Sequence, residues 1–322
     1  MAAIELEGLT KDYGEVRAND GVTFAVERGE VFGYLGPNGA GKTTTIRTVL
    51  GLLSPTAGTV RLLGRDVTDE AQLLEAKRRL GYLPDDPAFD ETATGREILD
   101  LHASLKGDER SAEVLELFDP PLDREIREYS RGNVQKLGLV TTFMHDPELV
   151  ILDEPTSGLD PLLQQRFNEF VRAEREVGLT VFFSSHILSE VRKLCDRVGI
   201  IRDGRLVTVD PVESLLDRSG KFVRLHADEP IPIRSLEVDG VHGLESNDGA
   251  GPSDGTEYAF TFTGDINALL AAIREYRLVD LSIEEAPLEE VFMRFYGSDA
   301  ADAPPATEQA AAGTDRGGSG DV

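Results

Sequence analysis

The chain has 322 residues, with 59 acidic against 33 basic residues, one cysteine, no tryptophan and a formal net charge of -26. Its length makes one large or two modest domains at roughly 100–200 residues each. One cysteine excludes an intrachain disulfide framework, and no apolar run approaches the ~20 residues that span a bilayer. The opening MAAIELEGLTKDYG lacks the basic-then-apolar layout of an export signal, so a cytoplasmic protein is expected. The charge argues against a protein that coats nucleic acid, because phosphate binding needs a basic surface. Acid spread along the chain, with seven lysines against 26 arginines, suits a surface that stays hydrated under strong salt screening.

In chain order, Val22, Phe24 and Val26 alternate at period two, and Val31 to Leu35 is an apolar run that ends at a Gly-rich loop. Ile46, Val49 and Leu50 have helical spacing, closed by Gly51. Thr59 to Leu62 and Gly81 to Leu83 read as further strands. From about 91 to 147 the apolar residues recur at helical intervals (Ile98, Leu101, Leu105; Val114, Leu117, Phe118; Val134, Leu137, Val140, Met144), with breaks at Gly107 and Pro120-Pro121. This predicts a helical insert. Strands return at 148–152, 180–183 and 198–201, and Asp203-Gly204 reads as a two-residue hairpin turn. The order predicts an α/β core, residues 1–219, with a mostly parallel sheet.

A boundary is expected near Ser219-Gly220. Beyond it Val223, Leu225 and Ala227 alternate, as do Tyr258, Phe260 and Phe262, separated by a Gly-, Asp- and Ser-rich interval (240–255). Ile266, Leu269, Leu270 and Ile273 mark a helix, Leu281 and Ile283 a strand, and residues 287–296 a final helix. Residues 220–297 thus read as a small α+β domain, and 298–322 as a disordered acidic tail without apolar periodicity.

Two motifs carry chemistry. Gly36-Pro37-Asn38-Gly39-Ala40-Gly41-Lys42-Thr43, followed by Thr44, fits the phosphate-loop pattern G-x-x-x-x-G-K-[ST] between a strand and a helix. Its glycines let backbone N–H groups approach phosphate without an intervening Cβ. Lys42 supplies a point charge for the β and γ oxygens, Thr43 a hydroxyl ligand for Mg²⁺, and the helix its positive end. Leu149 to Glu154 is an apolar strand that ends in two carboxylates. Asp153 would hold Mg²⁺ and Glu154 would accept a proton from an attacking water. The same acid pair before Pro155 also suits a helix start. Together the motifs define a phosphate-loop NTPase that binds a nucleotide with Mg²⁺. No N-K-x-D segment for guanine is present.

The remaining motifs resemble those of the ATP-binding subunits of ABC transporters. Tyr129-Ser130-Arg131-Gly132-Asn133, followed by Gln135, resembles the signature L-S-G-G-Q-x-Q; Ser157-Gly158-Leu159-Asp160 resembles the D-loop. His186, at the end of Phe182-Phe183-Ser184-Ser185, resembles the switch histidine, and Tyr13 the aromatic on which adenine stacks. Singly, each has a plainer structural reading: Ser130 and Asp160 as helix caps, His186 as a satisfied polar residue, Tyr13 as a strand-end aromatic. Their order and spacing match the family from Tyr13 to about residue 217.

The resemblance implies ATP and Mg²⁺ as cofactors and a head-to-tail pair with a second ATP-binding subunit, a homodimer being expected. ATP would lie between the phosphate loop of one copy and Ser130 and Gly132 of the other, with Asp160 connecting the sites. Glu154 and His186 would be the catalytic pair. The chain departs from the pattern in two places: Gly81-Tyr82-Leu83-Pro84 ends in Asp85 where the family has a glutamine that ligates the metal, and Tyr129, Arg131 and Asn133 replace Leu, Gly and Gln in the signature. Both departures, and the segment Ala286-Pro287-Leu288-Glu289-Glu290-Val291-Phe292, resemble a branch serving exporters with a separate membrane permease subunit. The implied site is peripheral, on the inner face of the membrane, with the insert and the Asp85 loop receiving the permease. The competing reading is a non-transport ABC ATPase acting on ribosomes or DNA, which the single ATPase domain and the acidic charge disfavour.

Overall fold

The structure, a computed structural model, describes residues 2–236, 238–248 and 255–285. The expected helix at 287–296 and the tail at 298–322 lie outside the described residues. The chain begins with β1 (Ile4–Asp12), β2 (Arg17–Val26), β3 (Val31–Leu35), α1 (Lys42–Val49), β4 (Ala57–Leu62), β5 (Arg65–Asp66), α2 (Glu70–Lys77) and β6 (Leu80–Leu83). Three helices follow: α3 (Gly95–Lys106), α4 (Ser111–Phe118) and α5 (Arg131–Phe143). Next come β7 (Leu149–Asp153), α6 (Pro161–Glu176), β8 (Thr180–Ser185), α7 (Leu188–Leu194), β9 (Arg197–Arg202), β10 (Arg205–Pro211) and α8 (Val212–Ser219). The last part holds β11 (Lys221–Ala227), α9 (Ile233–Leu236), β12 (Val241–Asp248), β13 (Thr256–Phe262), α10 (Ile266–Ile273) and β14 (Leu278–Glu285).

The central sheet has the order β10-β9-β3-β8-β7-β6, parallel from β9 to β6, with β10 antiparallel at its edge. The α/β class with a mostly parallel sheet is as expected. Period-two alternation splits its inner strands between two cores. Val31, Leu35, Val150, Leu152, Val181 and Phe183 face the helices α3 to α7. Phe32, Tyr34, Leu149, Ile151 and Phe182 face α1 and the antiparallel sheet β2-β1-β4-β5. Both faces being covered explains why these strands read as continuous apolar runs.

The insert follows its sequence signals. Thr94 caps α3 in a capping box with Glu97, and Gly107 ends it at φ 93. Arg110 forks onto Glu174 with two 2.6 Å bonds and also reaches Asp146, which joins the insert to α6. The Asp203-Gly204 turn has positive φ at both residues, as a tight hairpin between right-twisted strands requires. Strands β12-β13-β11-β14 form a separate antiparallel sheet whose core is Val223, Leu225, Tyr258, Phe260, Phe262, Leu269 and Ile273. Of the elements that the sequence pattern does not show, three have a plain physical reason. In β1 a register shift between Leu6 and Leu9, around Gly8 at φ 62, breaks the alternation. Helix α2 buries only Ala76, and β12 lies within the Gly- and Asp-rich interval.

Candidate functional site

Parallel register brings the motifs to one edge. Leu35 pairs with Ser185, and Asp153 with Ser184. The phosphate loop after β3, the carboxylates at the end of β7 and His186 after β8 therefore emerge side by side. They do so at the carboxyl ends of the strands, where open α/β sheets bind ligands.

The phosphate loop is shaped by close backbone approach. A Cβ on Gly36 would lie 2.5 Å from the Ile201 carbonyl, and one on Gly41 2.3 Å from the Ala18 carbonyl, so only glycine fits at either position. Gly41, at φ 106, then opens α1 with no side-chain cap, which leaves the helix N–H groups for an anion. The buried Asn19 of β2 donates from Nδ2 to Thr45 Oγ1 at 2.9 Å and to the Gly41 carbonyl at 3.4 Å, bracing the loop's exit. Asn19 was missed in the sequence because it stands 22 residues before Gly41 and belongs to no motif. Lys42, 7% exposed, donates to the Gly36 carbonyl at 2.5 Å and the Pro37 carbonyl at 3.3 Å. Burial pushes its ammonium below the usual lysine range, against the pull of Glu154, Asp153 and Asp85. Thr43 lies exposed on the first turn of α1 and Thr44 beside it is half-buried.

Asp153 is 4% exposed, and its burial raises the carboxyl above the usual range. Glu154 leaves the strand in the left-handed region, at φ 51, with its N–H donating to the Ser184 carbonyl at 3.0 Å. Its carboxylate lies 2.8 Å from His186 Nδ1. Burial raises the Glu154 carboxyl, and the bond to His186 acts in the opposite sense. His186 is thus partnered by Glu154, and it makes no cap to α7, whose first residues carry no side-chain cap.

Ser130 and Asp160 lie exposed at helix starts, with Gly132 half-buried beside Ser130. Ser130 caps α5, accepting from the Asn133 N–H at 3.3 Å, and Asp160 caps α6, accepting from the Leu163 N–H at 3.0 Å. No hydrogen bond joins either to the phosphate loop among the described residues. A Cβ on Gly132 would lie 2.7 Å from the Gly158 carbonyl, which packs the two loops against each other. Gln135, 1% exposed, donates to the Pro155 carbonyl at 2.9 Å and ties α5 to the chain just beyond Glu154. Arg131 donates to Ser157 Oγ at 2.8 Å and lies 3.6 Å from Asp85, so the two departures from the family pattern are paired with each other. Tyr13 is 55% exposed with the Lys11 ammonium 5.1 Å over its ring.

The ABC transporter family profile matches residues 19–157. An ABC transporter ATP-binding protein from Nostoc sp. is 41% identical over 212 residues, covering 63% of this chain; the match spans 62% of that relative's length. A Nod factor export ATP-binding protein from Paraburkholderia xenovorans is 32% identical over 313 residues, which cover 94% of this chain and 99% of the relative. Among solved structures, a dimeric ATP-binding cassette in a post-hydrolysis state with ADP and Pi is similar in fold. Its TM-score is 0.60 at 21% identity, over 65% of this chain and 98% of that one. Aligned along nearly the whole of one such subunit, with the phosphate loop, the acid-tipped strand and the histidine on one sheet edge, the chain belongs to the ABC transporter family and is an ATP-hydrolysing, ATP-binding subunit of it.

Proposed function

We propose that this subunit drives export through a separate membrane permease, by closing on ATP as a pair of copies and opening after hydrolysis. The observation that carries the reading is the division of the site: Lys42, Asp153, Glu154 and His186 share one edge, while Ser130 and Asp160 stand exposed at helix starts with Gly132 half-buried beside Ser130. A second copy, packed head to tail, brings its Ser130 and the open N–H groups of its α5 to the γ-phosphate, and Asp160 links the two sites. Gly36 to Thr44 cradle the phosphates and Tyr13 stacks on adenine through the ring face opposite Lys11.

The donors present suit Mg²⁺. Thr43 offers a hydroxyl, and Asp153 a buried carboxylate whose charge is costly unless a cation faces it. Asp85 would complete the oxygen set. An ion bound there would be held largely by substrate phosphates. Bound there, Mg²⁺ supplies charge neutralisation at the phosphates. Glu154 takes a proton from the attacking water as its oxygen bonds to the γ-phosphorus and the bond to the β-bridging oxygen breaks. His186 holds Glu154 and the water in line. Closure and opening then constitute the stroke.

We further propose that residues 1–219 form the ATPase domain and 220–297 a small second domain. The subunit is peripheral on the cytoplasmic membrane face, with the insert and the Asp85 loop against the permease. No helix among the described residues is long and apolar enough to cross a membrane. The relative named for Nod factor export supports the direction of transport. The test is Glu154→Gln, purified with ATP from detergent-solubilised host membranes. A stoichiometric polytopic membrane protein is the expected companion; ribosomal proteins or nucleic acid in its place would overturn the transport reading.

A further inference from the structure

Strands β7 and β8 run in parallel register with Asp153 opposite Ser184, so the turns that follow them leave the sheet as neighbours. On the outer side Glu154 meets His186, whose side chain is 54% exposed and so gains little from packing. Glu154 also sits at φ 51, a conformation that strains a non-glycine residue and persists only where the surroundings hold it. Behind the pair lies a second set of bonds. Thr156, two residues beyond Glu154, donates its hydroxyl to Glu190 Oε1. Ser185, just before His186, donates to Glu190 Oε2 at 2.8 Å. Ser185 Oγ in turn accepts the Ile187 N–H at 3.0 Å, which closes the turn that carries His186. Both hydroxyl residues are buried, at 3% and 0% exposure, where bonds to a charged acceptor are short and strong.

We propose that Glu190 is a positioning residue for ATP hydrolysis. One carboxylate brackets the turn that bears Glu154 and the turn that bears His186, fixing the separation at which the pair addresses water. Glu190 touches neither nucleotide nor metal. It acts through His186 and Glu154, and the inference rests on the roles proposed for them above. Two oxygens are required, because each accepts from a different strand end. A glutamine keeps only one acceptor oxygen.

The test is steady-state ATP hydrolysis by the full-length chain carrying Glu190→Ala, Glu190→Gln, His186→Ala or Glu190→Ala with His186→Ala. Glu190→Ala is expected to lower kcat roughly tenfold, through misplacement of the reacting geometry, with KM for ATP within about twofold of wild type. Glu190→Gln falls between the two. In the His186→Ala background the further loss shrinks to less than about twofold, because what Glu190 positions is gone. A wild-type kcat for Glu190→Ala, a full tenfold loss in the His186→Ala background, or KM rising as kcat falls would each overturn the bracket. Should Glu190→Ala fail to fold, Thr156→Val and Ser185→Ala decide, each expected to give part of the loss and overturning the bracket if neither does. A His186→Ala chain that hydrolyses at the wild-type rate sinks the catalytic reading and this inference with it. A slow His186→Ala beside a fast Glu190→Ala sinks the inference alone.

Discussion

The two sides of the proposed ATP site are held by different means. On the phosphate-loop side the glycines at 36 and 41 are wedged against the Ile201 and Ala18 carbonyls, Asn19 is fully buried, and Lys42 and Asp153 are less than a tenth exposed. On the signature side Ser130, Arg131 and Asp160 are exposed, and their side chains cap their own helices or reach across the surface. The first side is finished within one chain. The second is a set of helix starts with N–H groups left open, which is what the proposed completion by a second copy requires.

The sharpest way to test the contrast is on the finished side. Lys42→Ala removes a buried charge aimed at phosphate, and ATP affinity should fall about 100-fold with the fold retained. Equilibrium binding of labelled ATP measures this, and tight binding by the variant would break the assignment. On the open side Gly132→Ala should lower stability by about 1–3 kcal/mol, since its Cβ would press on the Gly158 carbonyl, and turnover should drop with it. An unchanged urea midpoint would show that the two loops part more easily than their contact implies.

Away from both sides, at the opposite end of the sheet, a buried group titrates. His145 and Lys106 both donate to the Leu80 carbonyl, tying the ends of α5 and α3 to β6, while His145 Nδ1 is buried without a partner among the described residues. Burial, with help from the nearby Lys106, pushes the His145 pKa down to about 4. Below about pH 6.5 the unfolded chain takes up a proton that the folded chain refuses, so stability is complete above that pH and falls toward pH 4. Unfolding in urea should show His145 contributing a loss of roughly 2 kcal/mol between pH 7.5 and pH 5, absent in His145→Gln. Equal acid slopes in the two proteins would place the titration elsewhere. The smallest effect belongs to the surface pair. Arg131→Ala should change kcat less than about threefold, and less still in 1 M salt, because exposed ion pairs contribute about 0–1 kcal/mol.

Local chemistry was readable along the chain and long-range chemistry was not. The phosphate loop announces itself because eight consecutive residues make the cradle, and Asp153-Glu154 because a buried strand leads to them. Ser130 and Asp160 were legible twice over, as motif residues and as caps, and within one chain the capping geometry is what they adopt. By contrast, Arg131 and Asp85 are 46 positions apart, and each looked like an isolated departure until the structure paired them. Glu190 belonged to no motif; its bond to Thr156 spans 34 positions and exists only because β7 and β8 are neighbours. Strand β1 was hidden for a different reason: the register shift around Gly8 moves its apolar residues out of step.

The left-handed backbone at Glu154 has a consequence for how this protein can vary. A glycine would adopt φ 51 without strain, so the sequence most comfortable at this turn is one without a carboxylate. With Glu154 as the proposed base, drift toward greater robustness and selection for turnover pull in opposite directions at a single codon. A Glu154→Gly chain that melts above the wild type yet hydrolyses almost nothing would make that conflict measurable.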